Sequence, residues 1–294
     1  MKSKTNKELK KLKQGIYFLP NLFTTANLFA GCFSIINAIN GNYSIAAISI
    51  FVAVFLDGMD GKIARITNAV SDFGKDYDSL SDLVSFGVAP ALLFYLWGNN
   101  HLLNSILLWE KTAWLVSFFY IAATALRLAR FNNQLHLKYN PYFSGLPSPA
   151  AATLVSVIVW QCELLLLAPI VSFAVLIFSI VVSAAMMVSK VPYYGFKNAQ
   201  SARRIPFAKT VMIPLIFILI LLEPPLVLSV MAISYLFSGP VSLLLGSILK
   251  TIKTQLSSSQ SNRSDKRFSC LIEIRFSNSS ELMFGDFVCR KNPH

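Results

Sequence analysis

The fold of this chain is decided by the stretch FLDGMDGKIARITNAVSDFGKDYDSLSD, residues 55–82, because it joins two apolar segments through a cluster of acids. Four of its carboxylates stand at regular offsets, at Asp57, Asp60, Asp78 and Asp82. A carboxylate close to a lipid bilayer is costly unless it is paired or binds a cation, so such residues indicate function. The stretch therefore predicts a site for metal and phosphate chemistry where two helices meet.

The helical repeat sorts these residues by face. Successive residues of an α-helix are rotated by about 100° around its axis. A helix over 44–66 would therefore have one side formed by Asp57, Asp60, Gly61, Ala64 and Arg65. Gly74, Asp78 and Asp82 are four apart and line one side of the next helix. Small residues let a ligand approach closely, and Mg²⁺ or Mn²⁺ prefers carboxylate oxygens. Taken alone, a pair of acids on a helix is usually a solvated face, and a single arginine can extend to the membrane interface. Only the combination of these residues predicts a site for two cations.

The composition indicates a membrane protein. Of the 294 residues, 54% are hydrophobic and only 14% are charged, and the mean hydropathy is +0.56. Apolar stretches of about 17–25 residues are long enough to cross a bilayer as helices. We therefore expect an all-α integral membrane protein with a polar cavity that faces the cytoplasm. About eight transmembrane helices are expected, near residues 16–40, 44–66, 79–98, 104–127, 147–167, 169–189, 206–222 and 225–249.

The chain divides into three parts by composition. We expect residues 1–14 to form a basic amphipathic arm on the membrane surface, residues 15–250 to form the membrane domain, and the polar residues 251–294 to form a disordered tail. Lys and Arg cluster in the arm and in alternate loops, which the positive-inside rule puts in the cytoplasm. Both termini and the acids then face the cytoplasm from the cytoplasmic membrane. The net charge of +12 favours anionic lipid headgroups over nucleic acid as a partner.

These residues resemble a known family. The signature of the CDP-alcohol phosphatidyltransferases is matched at every position, by Asp57, Asp60, Gly61, Ala64, Arg65, Gly74, Asp78 and Asp82. The adjoining segment DSLSDLVSFGVAP, residues 78–90, is similar to the serine-using branch of that family. The stretches RLARFN at 127–132 and FSGLPSP at 143–149 are similar to the same branch. The resemblance covers roughly residues 15–250.

The resemblance implies a reaction and its cofactors. A phosphatidyl group would pass from CDP-diacylglycerol to an alcohol, L-serine in the serine-using branch, with CMP as the leaving group. Two divalent cations, Mg²⁺ or Mn²⁺, would be bridged by Asp57 and Asp78, with Asp60 on one ion and Asp82 on the other. A homodimer is also implied. We expect Asp82, on the open side of the array, to act as general base for the serine hydroxyl, which is a poor nucleophile at neutral pH.

The resemblance also implies residues that bind CDP-diacylglycerol: Asn21, Thr24, Gly61, Ala64, Arg65, Ser71 and Gly74. Gly61 and Ala64 would let the cytidine and the diphosphate lie against the helix. Arg65 would contact a phosphate, and Ser71 would donate a hydrogen bond to it. Asn21 and Thr24 resemble the family's first-helix element beside the nucleotide pocket, and ordinary hydrogen bonding between helices is the alternative for both.

The acceptor site is less sharply indicated. Arg127 and Arg130, at the end of the fourth predicted helix, are candidates for binding the serine carboxylate, and the alternative is that they pin the helix end at the membrane surface. Glycerol 3-phosphate or inositol phosphate as acceptor stays open, since Arg203 and Arg204 add positive charge. A cation transporter is a more distant alternative, because transporters usually hold their acids near the bilayer midplane in duplicated halves.

Overall fold

The fold is helical almost throughout the part of the chain that the computed structural model describes, which is residues 2–66, 71–102, 109–135, 143–165, 168–189, 191–193 and 218–243. The elements are α1 (Lys2–Ile39), α2 (Tyr43–Ile66), α3 (Asp72–Asp82), a π-helix (Leu83–Val88), α4 (Ala89–His101), α5 (Trp109–Leu135), β1 (Phe143–Ser144), α6 (Ser148–Leu165), α7 (Pro169–Val188), β2 (Pro192–Tyr193) and α8 (Pro224–Leu243). The predicted all-α membrane fold is confirmed.

Seven helices in the described ranges are long and apolar enough to cross a membrane: Asn21–Ile39, Tyr43–Ile63, Phe73–His101, Lys111–Asn133, Ser148–Leu165, Pro169–Val188 and Pro224–Leu243. They correspond to seven of the eight predicted helices. The eighth, predicted at 206–222, lies outside the described residues except for a helical turn at 218–222. The backbone of the predicted arm, from residue 2, continues into the first membrane-spanning helix without a break. The predicted tail at 251–294 lies outside the described residues.

The third membrane-spanning helix is built from α3, the π-helix and α4 in one continuous run. It was predicted to begin at residue 79 but begins at 72, because Ser71 caps α3. The Ser71 Oγ accepts a hydrogen bond of 3.0 Å from the amide of Gly74 and so satisfies one free donor of the first turn. The start at residue 72 puts Gly74 and Asp78 on the same helix as Asp82, as their four-residue spacing predicts.

Helices α1 and α2 pack closely because small side chains line their contact. Five alanines of these two helices are buried, namely Ala30, Ala38, Ala46, Ala47 and Ala53, each at most 6% exposed. Small residues let membrane helices approach each other, and the Ser34 hydroxyl uses this approach to donate a 2.8 Å hydrogen bond to the carbonyl of Ala46. Large apolar side chains such as Phe29 and Phe55 point outward instead, as expected for surfaces that meet lipid.

Two contacts fix the ends of α6. At its C-terminal end, the Trp97 indole donates a 2.6 Å hydrogen bond to the carboxylate of Glu163, and His101 stacks on Trp97 with ring centroids 4.6 Å apart. At its N-terminal end, β1 pairs antiparallel with β2, and the amide of Gly145 donates to the carbonyl of Val191 at 2.9 Å. The pairing ties the start of α6 to the segment that follows α7.

Candidate metal and substrate site

Three of the four predicted acids converge where α2 ends and α3 begins. One carboxylate oxygen from each of Asp57, Asp60 and Asp78 lies within 4.8 Å of the others. Asp60 is buried, at 6% exposed, and the other two are half-buried. Like charges at this separation repel strongly in a partly desolvated site. A bound divalent cation would relieve this repulsion, and the arrangement suits one.

Helix α1 holds the acids in place through two side-chain hydrogen bonds. The Thr24 hydroxyl donates to Asp60 Oδ2 at 3.2 Å, and the Asn27 amide donates to Asp82 Oδ1 at 3.2 Å. In return, the hydroxyl of Ser81 donates to the carbonyl of Thr24 at 3.1 Å. Hydrogen bonds to carboxylates are stronger than those between neutral groups. Thr24 therefore borders the acid cluster, and its bond to Asp60 is of the interhelical kind that was the alternative to a role beside the nucleotide pocket.

Asp82 lies one helical turn beyond Asp78 on α3 and is also buried. Its side chain is 8% exposed, so the expectation that it lies on the open side of the array is wrong. The reason is that α3 runs on into the π-helix and carries Asp82 inward against Asn27 of α1. Asp82 lies within electrostatic range of the three clustered acids and of Arg127, one of the two predicted acceptor arginines.

Two orphaned oxygens support a fit between these residues and a metal ion. Asp78 Oδ1 and Asn27 Oδ1 are both buried, and neither has a hydrogen-bond partner. A buried polar atom without a partner is costly, and native proteins usually satisfy it with protein, water or an ion. Both atoms are hard oxygen donors of the kind that Mg²⁺ and Mn²⁺ accept. The donor set thus fits the divalent cations that the acids predict.

The side predicted for CDP-diacylglycerol is open where the structure describes it. A Cβ added to Gly61 would meet no atom within 4 Å, so this face of α2 leaves room for a ligand. A Cβ added to Gly74 would lie 3.0 Å from the Ser71 hydroxyl and 3.5 Å from the side-chain oxygen of Asn21. These three residues therefore lie close together at the N-terminus of α3. The side chains of Ala64 and Arg65 lie outside the described part of the chain.

The two predicted acceptor arginines point to different partners. Arg127 is half-buried; it donates a 3.2 Å hydrogen bond to the hydroxyl of Ser148, and its buried Nε has no partner. Arg130 donates instead to the carbonyl of Val188 at the end of α7, at 3.5 Å. Arg127 therefore bonds to the start of α6 within electrostatic range of Asp82, whereas Arg130 fits the alternative prediction of a charge that secures a helix end.

Sequence reasoning missed Asn27 and Ser148. The signal for Asn27 was available, since Asn21, Thr24 and Asn27 follow each other at intervals of three along α1. Ser148 lies in the FSGLPSP stretch that resembles the serine-using branch, but its contact with the distant Arg127 could not be found from the sequence.

The fold and the site together define an integral membrane protein with a carboxylate cluster suited to cations and phosphate. Comparison with known proteins gives the same class. The family model described as CDP-alcohol phosphatidyltransferase matches residues 17–188, more than half of the chain. The chain therefore belongs to the CDP-alcohol phosphatidyltransferase family.

Individual relatives resemble the chain over different lengths. It is 34% identical to a CDP-diacylglycerol–serine O-phosphatidyltransferase of Helicobacter pylori over 236 residues, 76% of this chain and 90% of that protein. It is 34% identical to the Bacillus subtilis protein of the same name over 153 residues, 51% of this chain and 80% of that protein. It is also 39% identical to an archaetidylserine synthase of Methanothermobacter thermautotrophicus over 140 residues, 47% of this chain and 56% of that protein.

Proposed function

We propose that the protein transfers the phosphatidyl group of CDP-diacylglycerol to L-serine, giving phosphatidylserine and CMP. Membership of the CDP-alcohol phosphatidyltransferase family supports the donor, and the names of the relatives support serine as the acceptor. The observation that carries the proposal is the juxtaposition of an acid cluster, a buried Asp82 and an arginine with an unpartnered Nε. This arrangement offers separate places for a diphosphate and for an amino-acid carboxylate.

The transfer exchanges one bond to phosphorus for another. The serine hydroxyl oxygen attacks the phosphorus that bears the diacylglycerol, a new P–O bond forms, and the P–O bond to CMP breaks. Asp57, Asp60, Asp78 and Asp82 would hold two divalent cations, with Asp57 and Asp78 shared between them. Bound there, the cations would supply charge neutralisation for the diphosphate and its leaving group. The chain's own task is to hold the reacting groups in line, which by itself accounts for much of such catalysis.

Asp82 is proposed to take the proton of the serine hydroxyl. It lies within electrostatic range of both the clustered acids and Arg127. A serine whose carboxylate is bound by Arg127 would therefore present its hydroxyl toward Asp82. The Asn27 amide, which donates to one oxygen of Asp82, leaves the other oxygen for the proton. Arg130 is not needed for this assignment, since it contacts the end of α7.

The diphosphate is proposed to lie along the open face of α2, beside Gly61 and toward the N-terminus of α3. Asn21, Ser71 and Gly74 meet at that N-terminus, where free backbone amides and the helix dipole favour anions. Ala64 and Arg65 remain proposed contacts for the nucleotide and a phosphate. We further propose that this end of the bundle faces the cytoplasm, as the distribution of Lys and Arg predicts, and that the protein is a homodimer.

The test is CMP release by the purified full-length protein in detergent, with CDP-diacylglycerol and Mn²⁺ or Mg²⁺. L-serine is compared with glycerol 3-phosphate, inositol phosphate and no acceptor. Release that requires L-serine and yields phosphatidylserine supports the proposal. Release only with a phosphorylated alcohol would keep the site and change the acceptor. No release with any acceptor, in folded protein, would favour the cation-transport alternative.

Asp78→Asn tests the metal site within the same assay. Removing one carboxylate from the cluster should lower the rate roughly 10²–10³-fold, since the cations contribute several kcal/mol to the transition state. The matched control is Asp76→Asn on the same helix, because Asp76 lines a separate cavity of about 310 Å³ between α3 and α5. A rate near that of the parent for Asp78→Asn, or equal losses in both variants, would contradict the assigned metal site.

A further inference from the structure

Helix α8 lies beyond residue 188, where the family match ends. Most of its surface is exposed, as on a helix that faces lipid, with residues such as Val230 and Phe237 more than half exposed. One narrow stripe is different, since Leu236 and Gly239 are buried and Tyr235 is half-buried. The way in which this stripe packs against the rest of the fold is therefore informative about what α8 does.

Tyr193 of β2 anchors that stripe. Its side chain is fully buried, and its hydroxyl donates a 3.0 Å hydrogen bond to the carbonyl of Leu236. A Cβ added to Gly239 would lie only 2.4 Å from the Tyr193 ring, so glycine is required for this approach. The rings of Tyr193 and Tyr235 lie 5.7 Å apart between centroids, at a favourable separation for an aromatic pair. These contacts fix where the Tyr235 side chain lies.

Tyr235 is thereby held near Arg127. Its ring packs on Tyr193, which pairs with Phe143 shortly before the start of α6, where Ser148 accepts a hydrogen bond from Arg127. The electrostatic interactions of Arg127 with Tyr235 and with Asp82 agree with this placement. Arg127 donates to Ser148 at the start of α6, and its buried Nε has no partner. Helices α5, α6 and α8 therefore each contribute one polar side chain to one small region next to the acid cluster. A phenol hydroxyl beside a guanidinium is well suited to bind a carboxylate together with it.

We propose that α8 completes the acceptor site, with the Tyr235 hydroxyl donating a hydrogen bond to the serine carboxylate that Arg127 binds. Tyr193 and Gly239 serve as positioning residues that hold α8 in place. The inference rests on the proposed function, because it assigns a further residue to the same acceptor. Recognition of the acceptor then depends on a helix outside residues 17–188, the part of the chain that the family model matches.

Tyr235→Phe is the direct test, because it keeps the ring and its packing on Tyr193 while removing the hydroxyl. We expect the KM for L-serine to rise about tenfold or more, as for loss of a hydrogen bond to a charged group. The kcat at saturating serine, the KM for CDP-diacylglycerol and the thermal unfolding midpoint should stay close to the parent values. Ser238→Ala is the matched control, since Ser238 is exposed on α8 and its hydroxyl bonds to the carbonyl of Tyr235 within the helix.

A second variant tests the placement of α8 separately. Gly239→Ala introduces a methyl group against the Tyr193 ring, and it should raise the KM for L-serine without changing that for CDP-diacylglycerol. If the parent requires L-serine but Tyr235→Phe leaves its KM unchanged, the inference fails while the proposed function stands. For Tyr235→Phe, equal changes in the KM for L-serine and the KM for CDP-diacylglycerol, or a lowered unfolding midpoint, would mean a structural role and would also overturn the inference. A parent that does not use L-serine overturns both.

Discussion

Replacing Gly31 with alanine should misalign the acid site from a distance. A Cβ on Gly31 would lie 2.4 Å from the Ser85 hydroxyl oxygen and 2.8 Å from the Ser85 Cα. Ordinary contact needs about 3.5 Å, so α1 and the π-helix would have to separate by about 1 Å. Overpacking of this kind costs about 1–3 kcal/mol of stability. The same movement would stretch the 3.2 Å bond from Asn27 to Asp82, which spans these two segments.

The functional loss should exceed the loss of stability. A misplacement of about 1 Å in a catalytic group can cost on the order of 10²-fold in rate, so we expect kcat for CMP release to fall by about that factor. The assay compares CMP release with the thermal unfolding midpoint in the same detergent. Adding Ser85→Gly removes the nearest clashing atom and should restore part of the activity. Full activity in Gly31→Ala at an unchanged unfolding midpoint would refute the close approach on which the reasoning depends.

Three further changes have separable outcomes. Gly61→Ala should raise the KM for CDP-diacylglycerol about tenfold by filling the open face, and an unchanged KM would contradict the assignment. Ser71→Ala removes the cap of α3 and should lower the free energy of unfolding by about 1 kcal/mol, measured by thermal unfolding. Trp97→Phe loses the hydrogen bond to Glu163 and should lower the free energy of unfolding by about 1.5–3 kcal/mol. The folded fraction should keep its kcat, because this contact lies at the end of α4 that is far from the acids.

The helices were largely predictable because each apolar stretch must bury its backbone groups within itself. Helices α6 and α7 begin and end within two residues of their predicted limits, since Pro and polar residues flank both. The π-helix was not predictable, because Leu83–Val88 is an ordinary apolar sequence. Its wide turn accompanies tertiary contacts, such as the hydrogen bond from Ser85 to the carbonyl of Asn27 and the packing of Gly87 against Thr124.

The candidate site divides in the same way. The acids could be found because their offsets match the helical repeat, so local geometry alone brings Asp57 and Asp60 to one face. The depth of Asp82 could not be found, because it depends on how α1 packs against the third membrane-spanning helix. Tyr235 also left no pattern in the sequence, since it reaches Arg127 only through the packing of α8 on Tyr193.

The π-helix has a consequence for comparing chains of different length. A π turn holds roughly one residue more than an α turn, as if a single residue had been inserted into a regular helix. Deleting one residue from 83–88 would therefore restore an ordinary α-helix and keep both flanking halves in phase. The same deletion within the regular helix at residues 89–96 would rotate Asp82 by about 100° relative to Trp97. Within this helix, the six residues of the π-helix are the place where a change in length is compatible with an unchanged site.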